Sequence, residues 1–263
     1  MKEVPNIIIS DLQVGHRTPT YNFEVFNQRL VKIGDQAIGE ILRRSRDVTI
    51  PEIKIRLLGD LIHGERVFKT VDLDELEDVV KVQMYDVAIP ALEKFIARFA
   101  DFIKVTITCI KGNHGKVHKE ASLSNNYDLM IYQHLKASLK EYKNIHFDIC
   151  DNFYTIDNLF GKKYMFIHGD EVKSHGGKPW SQIADKALKW HGALGGFDYL
   201  CLGHFHTFGV FDYDNMTVLI NGTLVTDDQW VLRTMGLPGS CSQLMFFAGD
   251  TGISYYKILS PKD

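Results

Sequence analysis

Residues 102–114, FIKVTITCIKGNH, contain the pattern on which the fold prediction depends: a β-branched apolar run that ends abruptly in a polar cluster. Such a run is typical of a buried strand. The same pattern recurs elsewhere along the chain. The runs and their clusters are 6–10 before Asp11, 53–58 before Gly59-Asp60, 102–110 before Lys111-Gly112-Asn113-His114, 163–167 before His168, and 198–202 before Gly203-His204-Phe205-His206.

Helical periodicity separates these predicted strands, with apolar residues at spacings of three and four over 22–46, 73–100, 126–142 and 181–194. Strands that alternate with helices favour an α/β sheet, in which ligands collect beyond the carboxyl ends of the strands. All the polar clusters occupy that position. From about 208 to 258, short runs split by turn residues predict antiparallel strands, which we expect to form a second sheet packed on the first.

The composition is that of an ordinary globular protein, and we expect a single domain over residues 1–263. A formal net charge of -3 gives no global basic field for nucleic-acid binding, although a local metal cluster could supply positive charge. The four cysteines form no CxxC pair, and Cys109 and Cys201 lie in apolar runs, which favours reduced thiols. The amino-terminal apolar run is too short for a signal peptide, and no segment is long enough to span a membrane. We therefore expect a cytoplasmic protein that does not bind membranes.

The polar clusters together indicate a metal site. Each has an ordinary alternative when taken alone: Asp11 could cap a helix, Gly59-Asp60 and Gly112-Asn113-His114 could be simple turns, and His168 could be a core histidine. His204 and His206 stand at i and i+2, which places them on one face of an extended segment. Carboxylate, amide and imidazole donors without thiolates suit Mn²⁺, Fe²⁺, Zn²⁺ or Mg²⁺ rather than a structural zinc site.

The ordered series Asp11-Leu12-Gln13, Gly59-Asp60, Gly112-Asn113-His114, His168 and Gly203-His204-Phe205-His206 resembles the motifs of the calcineurin-like metallophosphoesterase superfamily. The resemblance implies an α/β fold, a four-layer α/β/β/α sandwich with two mixed β-sheets. It also implies two divalent metal ions, with Mn²⁺ as the leading candidate. Because two cations can bind the phosphate and a water of lowered pKa together, we expect a hydrolase in which hydroxide attacks phosphorus in line, without a covalent enzyme intermediate.

The resemblance also assigns roles to individual residues. Asp60 would bridge both ions. Asp11 and His206, with Gln13, would complete one site, whereas Asn113, His168 and His204 would complete the other. His114 would not bind metal, and would instead stabilise the scissile phosphate or protonate the leaving oxygen.

Gln13 departs from the family pattern, which usually has His at that position. Its carbonyl oxygen is a weaker and harder donor than an imidazole. The possible outcomes are a looser first ion, a preference for Mg²⁺ or Mn²⁺ at that site, or no ligation by Gln13 at all. His16, three residues later, could reach inward instead.

The substrate is predicted to be a phosphate ester, with a nucleic acid or nucleotide phosphodiester as the leading class. Residues 59–63 and 203–206 resemble the DNA-repair exonuclease branch, and a Gln in the first motif resembles phage-encoded phosphoesterases, which would act in the host cytoplasm. Only about 57 residues follow His206, too few for the DNA-capping regions of those exonucleases. The alternatives are a small-molecule phosphomonoesterase, a cyclic-nucleotide phosphodiesterase, and a catalytically dead scaffold that binds a partner.

Three further features predict a substrate-binding surface. Basic residues close to the motifs could form a rim, aromatic residues could stack on a base, and the polar stretch 222–243 could fold back over the site. A solvated surface and core packing are the respective alternatives for the first two. The basic residues are Arg17, Lys111, Lys116, His118, Lys119, Lys173, His175 and Lys178, and the aromatic residues are Phe205, Trp180 and Trp230.

Overall fold

The structure is a computed structural model that describes residues 1–65, 75–118, 120, 122, 124–173, 179–236 and 239–261. The strands are β1 (Val4–Ile9), β2 (Ile53–Leu57), β3 (Val105–Cys109), β4 (Ile145–Ile149), β5 (Tyr154–Leu159), β6 (Lys162–Ile167), β7 (Tyr199–Leu202), β8 (Gly209–Tyr213), β9 (Met216–Ile220), β10 (Gln243–Gly249) and β11 (Gly252–Leu259). The α-helices are α1 (Phe23–Arg44), α2 (Ile89–Ala100), α3 (Tyr127–Ser138), α4 (Pro179–Ala193) and α5 (Gln229–Met235), and a π-helical segment, Val82–Ala88, leads into α2. Within these ranges, no helix combines the length and the apolar character that crossing a membrane requires.

Two mixed sheets form the centre of the fold. The first has the order β11-β10-β1-β2-β3-β4, and the second has the order β5-β6-β7-β9-β8. Strands β1 to β4 run parallel, so their carboxyl ends meet at one edge of the first sheet. Strands β6, β7 and β9 do the same in the second sheet.

The apolar side chains are divided among three clusters, which define four layers. One cluster joins α1, α2 and α3 to the outer face of the first sheet, and another joins α4 to the second sheet. The third lies between the sheets and includes Ile8, Leu58, Phe166, Leu219 and Phe246. The fold is therefore the predicted four-layer α/β/β/α sandwich, and strands buried on both faces explain the near-continuous apolar runs.

The predicted strands at 6–10, 53–58, 102–110, 163–167 and 198–202 correspond to β1, β2, β3, β6 and β7. Strands β4 and β5 were not predicted. Both are edge strands with several half-exposed residues, so their apolar signal is weaker.

The expected organisation of the carboxyl-terminal third is wrong in one respect. Strands β8 and β9 do belong to the second sheet, but β10 and β11 extend the first sheet, with β10 antiparallel to β1. Strand β10 is buried along its whole length, because it lies between β1 and β11 and faces both neighbouring layers.

Three of the four predicted helices begin and end within a few residues of the observed ones. The one predicted over 73–100 begins too early, because residues 75–77 pair with residues 15–17 instead of forming an α-helix. Helix α1 begins after Asn22, whose side chain accepts a hydrogen bond from the backbone N–H of Val25. The helix predicted over 73–100 corresponds to the π-helical segment followed by α2, and its residues 73 and 74 lie outside the described ranges. The π-helical segment has a function in the loop packing described below, because it carries Gln83.

Candidate metal centre

The motif loops meet where strands of both sheets end. Asp11 follows β1, Asp60 follows β2, and His168 follows β6. Several of these residues have left-handed backbone conformations, which turn the chain sharply so that successive side chains face the same point. The φ angles are 53° at Asp11, 43° at Gln13, 53° at Asp60, 70° at His204 and 54° at His206.

Glycine allows two of these loops to touch. A Cβ atom on Gly59 would lie 2.3 Å from the backbone nitrogen of Gly112, and one on Gly112 would lie 2.2 Å from Asp60 Oδ1. Neither clash could be relieved by a side-chain rotation, since one partner is backbone and the other is a buried carboxylate. The glycines that precede Asp60 and Asn113 therefore set the distance between the second and third motifs.

Asp60 lies at the centre of the first group of side chains. Its Oδ2 atom is 3.1 Å from His168 Nε2, and His168 Nε2 is 3.0 Å from Asn113 Oδ1. Potential ligand atoms of Asp60, His168 and His204 all lie within 4.8 Å of one another. The other carboxylate oxygen, Asp60 Oδ1, accepts a hydrogen bond from the backbone N–H of His114.

A buried carboxylate that the sequence analysis did not identify, Asp128, organises this group. It accepts backbone hydrogen bonds from Asp60 and Leu61, each at 3.1 Å, and from Gly112 at 2.8 Å. It stands in the first turn of α3, behind the second and third motif loops. Burial, together with the nearby Asp60, raises the pKa of Asp128 to about 6. An acidic residue in a first helical turn is so common that its pattern alone carries no functional signal.

Asp11, Gln13 and His206 form the second group. The Nε2 atom of His206 is 3.5 Å from Asp11 Oδ1 and 3.1 Å from Gln13 Nε2. Gln13 also contacts His63, since its Oε1 lies 3.2 Å from His63 Nδ1. Asp11 in turn accepts hydrogen bonds from Ser10 Oγ and from the backbone N–H of His204.

In each group one histidine ring, that of His168 or His206, is oriented by a contact of its Nδ1 atom on the side away from the proposed ion. His168 Nδ1 donates to the carbonyl oxygen of Leu58 at 2.7 Å, and His206 Nδ1 is 3.1 Å from Asp228 Oδ2. A second hydrogen bond of this kind fixes the ring of a metal-binding histidine and leaves Nε2 facing the ion. Asp228 was missed by the sequence analysis, because it lies outside every motif.

The pKa values of the two groups show that their buried carboxylates are stabilised by neighbouring positive charge. Burial would raise the pKa of Asp60, but the His168 and His114 imidazoles outweigh it and hold that pKa below its ordinary value. Burial would lower the pKa of His206, but Asp11 and Asp228 outweigh it and raise the pKa to about 10. Burial, reinforced by His168, lowers the pKa of His204 to about 4. Protonated His168 and His206 thus neutralise the negative charge of the nearby carboxylates. A bound cation would supply the same positive charge.

A row of three imidazoles lies beside the centre. The rings of His16 and His63 are stacked with centroids 4.2 Å apart, and the His63 and His114 centroids are 5.1 Å apart. His114 Nδ1 is 3.0 Å from the carbonyl oxygen of His63. His16 therefore packs against His63, while Gln13 is the residue that lies against His206.

Gln83 of the π-helical segment ties the first two motif loops together. Its Oε1 accepts from the backbone N–H of Gly64 at 3.0 Å, and its Nε2 donates to the Gly64 carbonyl. A Cβ atom on Gly15 would lie 2.3 Å from the Gln83 side chain, so the two loops can pack around this glutamine only because residue 15 is glycine.

The predicted binding surface is found only in part. Lys116 pairs with Asp170 at 3.7 Å, and Lys111 donates to the Asp151 carbonyl, so both contact neighbouring parts of the protein. Phe205 is buried in the core beneath the second sheet, so of its two alternatives core packing is the one observed.

The remaining members of that surface are placed as follows. Trp180 packs on Phe211, and His118 accepts a hydrogen bond from the Glu120 N–H. Of the stretch 222–243, Thr223 and Asp228 lie against the site, since Thr223 Oγ1 donates to the Asp11 carbonyl and Asp228 Oδ2 is 3.1 Å from His206 Nδ1. Lys119, His175, Lys178 and the Trp230 side chain lie outside the described residues.

The residues present fit a divalent cation. Asp60 Oδ2 is buried and accepts no well-aligned hydrogen bond within the described part of the chain, and in this sense it is orphaned. Its close contact is the ion pair with His168 Nε2 at 3.1 Å. Carboxylate, amide and imidazole donors surround this oxygen, and the histidines on either side are oriented through Nδ1. An orphaned carboxylate oxygen among oriented imidazoles is the arrangement that a bound cation would complete.

Comparison with known proteins identifies similar solved structures. No family model matches the sequence, and no curated protein matches it. An archaeal phosphodiesterase is 14% identical over 97% of this chain and 98% of its own, with a TM-score of 0.42. A predicted phosphoesterase from Streptococcus pneumoniae is 12% identical over 98% of this chain and 88% of its own, with a TM-score of 0.41. Vps29 from Entamoeba histolytica, solved with zinc, is 12% identical over 97% of this chain and 99% of its own, also with a TM-score of 0.41.

Proposed function

We propose that this chain is a divalent-metal-dependent phosphoesterase, and that its substrate is a phosphodiester of a nucleotide or nucleic acid. The observation that carries the proposal is the orphaned Asp60 Oδ2, with His168 and His204 ligand atoms within 4.8 Å. The motif series supports the class of reaction, and the motif around Gly59–His63 supports the diester. The proposed ligands are Asp60 with Asn113, His168 and His204, and Asp60 with Asp11, Gln13 and His206.

Bound divalent ions, with Mn²⁺ as the leading candidate, would supply positive charge for the phosphate oxygens and a water of lowered pKa. The protein's own contribution is to hold the donors in place before substrate arrives. Asp128 fixes the backbone of Asp60 and Gly112, and the Leu58 carbonyl and Asp228 fix the rings of His168 and His206. Such preorganisation avoids the free-energy cost of reorienting dipoles during the reaction.

His114 is the proposed acid or electrostatic partner of the leaving oxygen. Its backbone N–H is held by Asp60 Oδ1, and its Nδ1 is held by the His63 carbonyl oxygen. Because Nδ1 donates to that carbonyl oxygen, Nε2 is the ring atom that would act on an oxygen of the phosphate. That oxygen would take a proton from His114 as the ester bond breaks.

The test is a comparison of chromogenic substrates with metal-depleted protein before and after Mn²⁺ is added. We expect hydrolysis of bis-p-nitrophenyl phosphate only with metal, and less hydrolysis of p-nitrophenyl phosphate. A panel of single- and double-stranded DNA, RNA and cyclic nucleotides then defines the diester. The reverse order of chromogenic activities would favour a monoesterase, and a reconstituted protein inactive on all of these esters would refute the proposal.

A metal-poor scaffold is a second candidate that Gln13 specifically favours. The Gln13 amide is already in contact with both His206 and His63, so the second group could remain without a cation. Metal analysis of the reconstituted protein distinguishes the candidates, because a scaffold would hold fewer than two equivalents and hydrolyse none of the esters.

A further inference from the structure

A cavity of about 450 Å³ opens beside the row of imidazoles, and we call it the His16 cavity. It is lined by His16, Arg17, Asn22, Glu75, Asp227 and Gln229, among others. Its volume falls within the range of roughly 300–1,000 Å³ that is usual for small-molecule sites. None of the proposed metal ligands lines it, so it is a separate feature from the centre.

Two connections place the His16 cavity next to the centre. On one side, the His16 ring stacks on His63, and His63 in turn lies against His114. On the other side, Asp227 lines the cavity and precedes Asp228, whose carboxylate holds His206. The cavity is therefore one imidazole away from His114 on one side and next to the segment that holds His206 on the other.

The walls of the cavity are held by pairing between separate segments. The backbone N–H of Arg17 donates to the Glu75 carbonyl at 2.7 Å, and Thr18 Oγ1 donates to the Thr226 carbonyl at 2.8 Å. Residues 16–18 are thus fixed to the segment at 75 on one side and to the segment at 226 on the other. A site whose walls are fixed in this way needs little ordering when a ligand binds.

The chemistry of the lining indicates the kind of group that fits. His16 is buried, and its Nδ1 has no hydrogen-bond partner within the described residues. Asn22 and Gln229 offer both donors and acceptors. Among the described lining residues, the carboxylates of Glu75 and Asp227 outnumber the single guanidinium of Arg17. This part of the lining therefore disfavours an additional phosphate.

We infer that the His16 cavity binds an uncharged, hydrogen-bonding organic group of the ester, with the size and polarity of a nucleoside. The inference rests on the proposed function, and deepens it. It favours a short nucleotide ester over a polynucleotide whose next phosphate would have to enter the cavity. His16, Asp227 and Gln229 are then specificity residues rather than catalytic residues.

Three chromogenic esters test this inference with the Mn²⁺-reconstituted protein. They are methyl p-nitrophenyl phosphate, thymidine 5′-(p-nitrophenyl phosphate), and the latter compound with an added 3′-phosphate. We expect the nucleoside ester to have a KM about tenfold lower than the methyl ester, because it alone fills the cavity. The added 3′-phosphate should raise KM again, through repulsion by the two carboxylates.

Gln229→Trp tests the location, since the exposed Gln229 lines the cavity and a large ring there would fill it. We expect the kcat/KM ratio of the nucleoside ester to the methyl ester to fall about tenfold, mainly through KM. The matched control is Gln133→Trp, at an exposed position on α3 that does not line the cavity, and it should leave the ratio unchanged. The double variant Glu75→Gln with Asp227→Asn should reduce the penalty of the 3′-phosphate.

The outcomes separate the two proposals. A protein that hydrolyses all three esters with equal KM, or whose ratio is unaffected by Gln229→Trp, overturns the cavity inference and leaves the phosphoesterase proposal standing. Preference for the 3′-phosphorylated ester also overturns the inference. A wild-type protein inactive on every ester removes the phosphoesterase proposal itself. Thermal melting and metal content of each variant show whether its fold and centre are intact.

Discussion

The two groups of the candidate centre contain similar residue types but differ in how their polar atoms are satisfied. Around Asp60, the buried oxygen Oδ2 accepts no well-aligned hydrogen bond from the residues that the structure describes, and its close contact is the His168 imidazole. Around Asp11, the Gln13 amide contacts both His206 and His63, and His206 is also paired with Asp228. In the first group a cation would replace the contacts of His168 Nε2 with Asp60 and Asn113 and would also satisfy the buried carboxylate oxygen. In the second group a cation would have to displace the Gln13 amide from His206. We therefore expect the Asp60 group to bind metal more tightly than the Asp11 group.

Asp60→Asn should have the largest effect, because it removes the charge that is proposed to hold both ions. We expect activity to fall at least about a thousandfold, which corresponds to roughly 4 kcal/mol of transition-state stabilisation. Metal content measured by mass spectrometry should fall in parallel. The matched control is Asp148→Asn, at an exposed position on β4. Near-wild-type hydrolysis of a diester by the Asp60 variant would end the two-metal interpretation.

Asp128→Ala should weaken the Asp60 group through the backbone. The change leaves buried N–H groups of Asp60, Leu61 and Gly112 without an acceptor, and we expect a loss of about 3 kcal/mol in the free energy of unfolding. Urea denaturation of metal-free protein measures it. Activity should fall as well, because Asp60 loses its fixed position. A variant as stable as wild type would show that these hydrogen bonds are not needed.

Asp228→Asn tests the pairing that satisfies the Asp11 group. The pKa of His206 is raised to about 10, chiefly because Asp11 and Asp228 outweigh its burial, and His206 in turn helps to lower the pKa of Asp228 to about 2. A raised histidine pKa stabilises the fold below the unfolded value of 6.5, and this contribution is lost as the pH rises toward 10. A lowered carboxylate pKa stabilises the fold above the unfolded value of 3.8, and this contribution is lost as the pH falls toward 2.

The pH dependences from His206 and Asp228 together define the pH range in which the Asp228→Asn variant should be least stable relative to wild type. We expect metal-free Asp228→Asn to lose about 2 kcal/mol of unfolding free energy between pH 4 and 6.5, and progressively less on either side. Denaturation curves across the pH range, with EDTA present, provide the measurement. A difference from wild type that did not vary with pH would mean that Asp228 acts through packing rather than charge.

Gln13→His should make the two groups more alike. An imidazole is a stronger donor for Mn²⁺ or Zn²⁺ than an amide oxygen, so we expect the weaker metal equivalent to bind about tenfold more tightly. Titration calorimetry on metal-depleted protein reports both equivalents separately. If the wild-type protein already binds two equivalents with equal affinity, the contrast between the groups is absent and the Gln13 amide must rearrange readily.

The strands and the motif loops were predictable from the sequence because both depend on local signals, whereas the four layers were implied by the resemblance of the motif series. Apolar β-branched runs identify buried strands, and glycine before a polar residue marks the turns at their ends. The sheet membership of β10 and β11 was not predictable in the same way, since their apolar runs are consistent with either sheet. Asp128 and Asp228 were also missed, because a carboxylate that supports another residue has no spacing of its own and becomes visible only when its partners are placed.

The left-handed backbone at His204 carries a final consequence for the thermodynamics of the whole protein. An L-residue in this conformation costs about 1 kcal/mol, whereas glycine does not. The φ angle is 70° at His204 and is also positive at other proposed ligands. Their combined cost lowers a free energy of unfolding that is typically only about 5–15 kcal/mol. Metal-free His204→Gly should therefore melt at a higher temperature than His204→Ala, although both lack the imidazole. The same loops that would give the protein its chemistry would then limit how much heat it tolerates.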